Sequence, residues 1–284
     1  KANKPGSINT GYVSQIYEDS KGRFWICLYG GGLELFDEMT ETFIHHIWKE
    51  NDPYCIAGIK CKSIYEISPD KYIVGTFEAG GNLHKDLRNS GNINYYDLRT
   101  NRFYALPIES ALINKRYMGS VRHLHRLVHT IFPDSSGNLW FGTYAGTLRY
   151  NIAAKSFIAF RFQDDDPQSL SNDIVRSICQ LDGKLYFATE GGGLSVLDTT
   201  TWRFTNYKNN PQNPNSLSDD FVRYLYKDKS NRIWIGTIGG GINIIDPQKQ
   251  DFIVYPYSFL KIRPNARVED VTIHALCAAG EGKV

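Results

Sequence analysis

One cassette recurs five times along these 284 residues, and it leaves few folds open. An apolar anchor sits inside a short hydrophobic run, at Trp25, Ile73, Trp140, Tyr186 and Trp234. A turn rich in Asp, Ser, Gly and Asn precedes it, as in Asp134-Ser135-Ser136-Gly137-Asn138. A glycine cluster follows, as at Gly30-Gly31-Gly32, Gly191-Gly192-Gly193 and Gly239-Gly240-Gly241. The anchors are 48, 67, 46 and 48 residues apart, the long interval reflecting an insertion from Phe77 to Asn94. Self-similarity at such a period marks a repeat architecture, whose units bury their faces against one another.

Each repeat reads as four short strands. Strand a is an apolar run such as Val175-Arg176-Ser177-Ile178, and strand b carries the anchor, as in Ile233-Trp234-Ile235-Gly236-Thr237. Strand c follows the glycines, and a turn at Asp37, Asp97, Asn151, Asp198 or Asp246 leads to strand d around Phe43, Phe103, Phe157, Phe204 or Phe252. Gly, Asp, Asn and Ser suit these turns because they accept positive φ or bond their own backbone. A four-stranded sheet of this kind cannot bury both faces alone, and radial stacking of successive sheets solves the problem with short edges. The expected fold is all-β: a β-propeller of four-stranded antiparallel blades, both faces of each sheet buried. The blades span about 12–46, 59–106, 126–160, 173–207 and 221–255. A sixth opens near residue 271 and runs to 284, so five complete blades plus the start of another suggest part of a larger, seven-bladed type of ring.

Composition narrows the function. Thirty-two basic against 30 acidic residues give a net charge of +2, without the basic excess of a nucleic-acid binder. Of the five cysteines, Cys27, Cys61, Cys179 and Cys277 lie in apolar runs and read as buried small hydrophobes. A bridge between Cys55 and Cys61 is the alternative for that pair. There is no long apolar run to span a membrane, and the first residues lack the apolar core of a leader peptide. The chain is therefore expected to be cytosolic or a piece of an exported protein.

Motifs of catalysis are missing: there is no Gly-x-Ser-x-Gly and no His-Glu-x-x-His. No cofactor and no metal site is expected. Asp164-Asp165-Asp166 reads as turn-capping acids rather than a calcium site, and the glycine clusters read as turns rather than phosphate cradles. Glu78 and Glu190 are the one carboxylate pair a glycosidase could draw on, two blades apart.

Stacking the repeats brings out two sets of positions. The second residue of strand a reads Ser14, Lys62, His129, Arg176, Arg223 and His274. Strand a is innermost in a propeller, so these basic groups would line one level of its channel. There they either grip an anionic ligand, such as a uronic or sulfated sugar, or pair locally with carboxylates and water. The residue before each glycine cluster reads Tyr29, Phe77, Tyr144, Glu190 and Ile238. These loops between strands b and c should open on the face that holds the d-to-a connections. Tyr29, Tyr144 and Glu190 there suit stacking on sugar and gripping hydroxyls, or plain loop packing. Arg122 and His123, in the basic stretch from Arg116 to Arg126, form a third candidate for an acidic ligand or partner, and a basic surface loop is the alternative.

The cassette is more specific than its fold. Tyr17-Glu18-Asp19-Ser20-Lys21-Gly22-Arg23-Phe24-Trp25-Ile26 and Arg232-Ile233-Trp234-Ile235-Gly236-Thr237 resemble two-component regulator propeller repeats. So does the phrase Asn213-Pro214-Asn215-Ser216-Leu217-Ser218-Asp219-Asp220, echoed by Asp166-Pro167-Gln168-Ser169-Leu170-Ser171-Asn172-Asp173. The resemblance covers essentially the whole chain. The second repeat departs from it, with Tyr72-Ile73-Val74-Gly75-Thr76 in place of a Trp cassette.

In that family such repeats form the periplasmic sensor region of Bacteroidetes hybrid two-component system histidine kinases, which detects oligosaccharides from glycan breakdown. The resemblance implies a periplasmic location and a non-enzymatic role for this region. It also implies attachment to the inner membrane through downstream segments, a kinase beyond them, and a homodimer, since such kinases signal as pairs. A propeller-fold carbohydrate-active enzyme and a passive protein-interaction scaffold are the two alternatives, and fold alone does not choose among them.

Overall fold

The structure is a computed structural model that describes residues 6–9, 11–77, 93–106, 127–246, 251–256 and 273. Among the described residues, twenty strands form five four-stranded antiparallel sheets, each built in chain order. The first sheet holds β1 (Tyr12–Glu18), β2 (Phe24–Tyr29), β3 (Gly32–Asp37) and β4 (Thr42–His46). The second holds β5 (Cys61–Ser68), β6 (Lys71–Thr76), β7 (Ile93–Asp97) and β8 (Arg102–Ala105). The third holds β9 (Val128–Pro133), β10 (Asn138–Thr143), β11 (Thr147–Asn151) and β12 (Ser156–Phe160). The fourth holds β13 (Val175–Leu181), β14 (Lys184–Thr189), β15 (Gly193–Asp198) and β16 (Arg203–Tyr207). The fifth holds β17 (Val222–Lys227), β18 (Ile233–Thr237), β19 (Ile242–Asp246) and β20 (Asp251–Tyr255). The described residues contain no helix, and the five sheets are those the cassette implies. By contacts the chain divides into two compact units, Lys1–Pro133 with Tyr150–Phe157, and Asp134–Arg149 with Ile158–Val284. Each is described by itself.

The tight turn before strand b explains the cassette's fixed spacing. In unit 1, one oxygen of Asp19 accepts the amides of Lys21 and Arg23, and the other accepts the Trp25 indole N–H at 2.9 Å. In unit 2 Asp134 and Asp228 do the same for Trp140 (2.9 Å) and Trp234 (2.8 Å). The aspartate and the tryptophan must be six residues apart for one carboxylate to hold both turn and ring. Burial opposes the charge on Asp19 and Asp228, yet the bonds from Trp, Arg and backbone outweigh it and hold both pKa values at about 2. The second sheet has no tryptophan at Ile73. Its neighbour Tyr72 instead donates to Asp19 at 2.7 Å and accepts from Arg23, so the departing repeat leans on the lock of the first.

The inter-repeat phrase also has a structural task. Its carbonyls accept the amide of the strand-d phenylalanine, Gln168 from Phe204 and Asn215 from Phe252, and the segments ahead of β1 and β5 do the same through Gly6 for Phe43 and Tyr54 for Phe103. Buried polar residues of strand c hold the phrase from the other side. Asn94 accepts the Ala57 amide, Ser195 that of Ser171, and Asn243 that of Ser218. Leu170 and Leu217 of the phrase are fully buried.

Successive sheets interlock through strand a. A Cβ on Gly75 of β6 would stand 2.6 Å from Val128 of β9, so the glycine is a notch that receives the next valine. Ile273, the one described residue of the sixth repeat, fills the same notch over Gly236. One expectation is overturned at β1. Val13 and Ile16 are 55% and 65% exposed, whereas their counterparts Val175 and Ile178 are 0% and 5%. Strand-a residues become buried by packing on the sheet before them, and no described residue covers β1 in that way. Cys27, Cys61 and Cys179 are buried, and Cys55 and Cys61 are unbonded thiols.

Candidate ligand-binding site

The same backbone device presents the cationic positions. In the pairing of strands a and b the register slips between Val13 and Gln15, Cys61 and Ser63, Val175 and Ser177, and Val222 and Tyr224. The residue passed over is Ser14, Lys62, Arg176 or Arg223, four members of the series read from the sequence. A bulged residue has no partner in the ladder, and its side chain is re-aimed away from the regular alternation. The loops between strands b and c close over this place. Gly30 and Gly32 donate to Ile59, Gly146 to Asp173, and Gly191 and Gly193 to Asp220, each acceptor lying just before the next strand a. The loops and the d-to-a connections therefore share one face, as expected.

In unit 2 the device assembles Tyr144, Arg176, Glu190 and Arg223. Glu190 forms an ion pair with Arg176 through both Nε and Nη2 of the guanidinium. Arg176 Nη2 donates to the Tyr144 hydroxyl at 3.2 Å, and the guanidinium lies 5.0 Å over that ring. Arg223 is half-buried and makes no ion pair among the described residues. Burial lowers its pKa first and the Arg176 charge lowers it further, while Glu190 partly restores it. Among the described residues, two guanidiniums thus lie near one carboxylate, an arrangement suited to an additional anion. Phe221 pairs with Glu190 in an isolated bridge and is 48% exposed beside it. It was not singled out from the sequence, because it lies in the connection one residue before strand a.

In unit 1 the equivalent positions give a different surface. Lys62 Nζ lies 4.5 Å over the Tyr29 ring, and Lys60 Nζ lies 4.8 Å over the same ring and 5.8 Å over Phe77. The His129 ring meets Phe77 at 5.4 Å, and Tyr29 meets Phe77 at 5.8 Å. Lys60 escaped the sequence reading, although it shares the side of the chain with Lys62, two residues on. Arg122, His123, His274 and Glu78 lie outside the described residues. Asp166 caps its own turn and pairs with Arg203 at 3.4 Å, and no group of metal-binding side chains occurs among the described residues.

Three stretches, residues 7–30, 124–145 and 216–239, match the two component regulator propeller model. Histidine kinase P4 of Formosa agariphila is 25% identical over 222 residues, covering 76% of this chain and 14% of that protein. The extracellular domain of a hybrid two component system from B. thetaiotaomicron has a TM-score of 0.66 at 22% identity, over 87% of this chain and 30% of that one. PorZ, a surface component of the type-IX secretion system of Porphyromonas gingivalis, has a TM-score of 0.52 at 17% identity, over 85% of this chain and 33% of that one. At these identities the structural likeness establishes the fold, and this chain spans a minor part of each relative's length.

Proposed function

We infer that this chain, which carries two-component regulator propeller repeats, is the ligand-sensing propeller of a hybrid two-component signalling receptor. It binds and does not catalyse, and the kinase that reads it lies in other parts of the receptor. Its place is outside the cytoplasmic membrane, in the periplasm, and its ligand is an oligosaccharide from glycan breakdown that carries an acidic group. The observation that supports this most is the paired device of unit 2. Two strand-a bulges bring Arg176 and Arg223 to the neighbourhood of Tyr144 and Glu190, and among the described residues Arg176 pairs with Glu190 while Arg223 makes no ion pair. An acid on the sugar would meet Arg223, and an aromatic ring would meet the sugar's apolar face.

Signalling follows as a population shift. A ligand that touches several loops favours whichever arrangement of the receptor holds those loops in place, and the membrane-proximal segments follow. The receptor works as a homodimer in this reading. Thermal shift of the intact extracytoplasmic region with acidic and neutral oligosaccharides tests it. A ligand at a hundred times its dissociation constant adds about 2.7 kcal/mol of stability, readily seen as a raised midpoint. Midpoints unmoved by every acidic saccharide would sink the reading.

A further inference from the structure

Unit 2 also carries a cleft of about 210 Å³, walled by Phe160, Arg161, Gln163, Asp166, Gln168 and Trp202. None of these residues belongs to the set described above. Trp202 stands in the turn between β15 and β16 with φ +58°, and the matching turns of the first three sheets place Glu41, Asn101 and Lys155 there. A bulky aromatic rarely adopts this left-handed backbone, and strained positions of this kind cluster at ligand sites. The ring is 41% exposed despite its size. It is held rigidly: Phe160 lies nearly parallel at 5.8 Å and 11°, and the Arg149 guanidinium sits 4.9 Å over it. The molecule therefore keeps a fixed aromatic plate at its surface at a position where the repeat otherwise uses a polar residue.

Arg161, which lines the same cleft, has an unmet demand. Nε and Nη2 of Arg161 are buried without a hydrogen-bond partner. Those two donors form the edge of a guanidinium that grips a carboxylate or sulfate with two parallel bonds. Burial lowers the pKa of Arg161, and Asp173 offsets that only in part. Gln163 and Gln168 also line the cleft, and amide side chains are of a kind that suits hydroxyls.

We propose that this cleft is a second saccharide site, taking one acidic sugar residue with its apolar face on Trp202 and its acid on Arg161. Binding turns the idle edge of Arg161 into the cleft, and the new bonds relieve its unpartnered burial. The cleft is smaller than the roughly 300–1,000 Å³ of a drug-sized pocket, so it admits a single ring of a longer chain. The saccharide class rests on the functional reading above, whereas the location rests on Trp202 and Arg161.

Calorimetric titration of the protein with digalacturonic acid, and with galactobiose as the neutral control, tests the site. Digalacturonic acid is expected to bind and galactobiose to bind at least tenfold more weakly. Trp202→Asn, which installs the residue used at the second sheet's turn, is expected to keep or raise the melting temperature while the binding stoichiometry falls by one site. Arg161→Gln is expected to weaken that site at least tenfold. Unchanged stoichiometry and affinity in both folded variants would overturn the cleft and leave the functional reading standing. Binding abolished by Trp202→Asn but indifferent to Arg223→Met would keep the cleft and remove the acid site from the Arg176–Arg223 cluster. No heat from digalacturonic acid with the native protein would overturn both.

Discussion

The cluster of unit 1 and the cluster of unit 2 use one backbone plan for two kinds of chemistry. Both take the bulged second residue of strand a and the residue before the glycine turn, so geometry is constant. In unit 1 those positions hold Lys62 and Tyr29, and ammonium groups rest on aromatic rings. In unit 2 they hold Arg176, Arg223, Tyr144 and Glu190, and a carboxylate neutralises one of two guanidiniums. The contrast shows how a repeat separates placement from recognition. Turn, bulge and lock are copied from blade to blade, while the side chains carried on them vary without disturbing the frame. Lysine offers a hydrated point charge, whereas arginine offers a planar fork matched to carboxylate or sulfate. The acid-binding role proposed above is therefore better matched by the residues of unit 2.

Acid should separate the two regions most strongly. His46 in unit 1 is buried against Trp25 and Tyr96, and burial lowers its pKa to about 4 from an ordinary 6.5. A neutral buried histidine favours folding fully above pH 6.5, and that contribution is lost as pH falls toward 4, about 3 kcal/mol in all. Asp19 and Asp228 behave alike in the two units. Their carboxylates stay ionised to about pH 2, so their share, about 2 kcal/mol each, persists above pH 4 and disappears only below it. Hydrogen exchange at pH 7 and pH 5 should show β2–β4 of unit 1 loosening first, with β18 of unit 2 unchanged. A uniform loosening would remove the distinction.

The next effect sharpens the contrast within unit 2. Glu190→Gln should cost about 2 kcal/mol in urea unfolding, since it leaves Arg176 partly buried without its carboxylate. The same change should tighten binding of an acidic saccharide, because the cluster loses its internal anion. Stability lost with affinity unchanged would place the ligand elsewhere. Smaller again is the paired test across units. Arg223→Met should weaken acid binding about tenfold, or 1.4 kcal/mol, and Lys62→Met should change it less than threefold. Equal losses would mean that both clusters hold one ligand class.

The sequence makes the frame legible and leaves the contacts hidden. The interval between Trp25, Ile73, Trp140, Tyr186 and Trp234 sets the number of sheets, and the turn residues set their edges. The bulged series Lys62, Arg176 and Arg223 could be read because equivalent residues align by simple counting. Pairing across a distance does not align in that way. Nothing in the order of residues says that Arg176 takes Glu190, that Lys60 joins Lys62 over Tyr29, or that Tyr72 completes the lock of Asp19. Trp202 carries no signal of its own in the sequence, and its weight comes from a left-handed backbone and the parallel ring of Phe160. The exposure of Val13 and Ile16 likewise depends on what covers a face, which strand patterning does not report.

Hydrogen exchange with and without digalacturonic acid tests the central claim most directly, because it maps where the ligand sits. Amides of the Tyr144 and Glu190 loops and of the bulges at Arg176 and Arg223 should slow at saturation, whatever happens at the Trp202 cleft. Binding that leaves those four places unchanged would contradict the account.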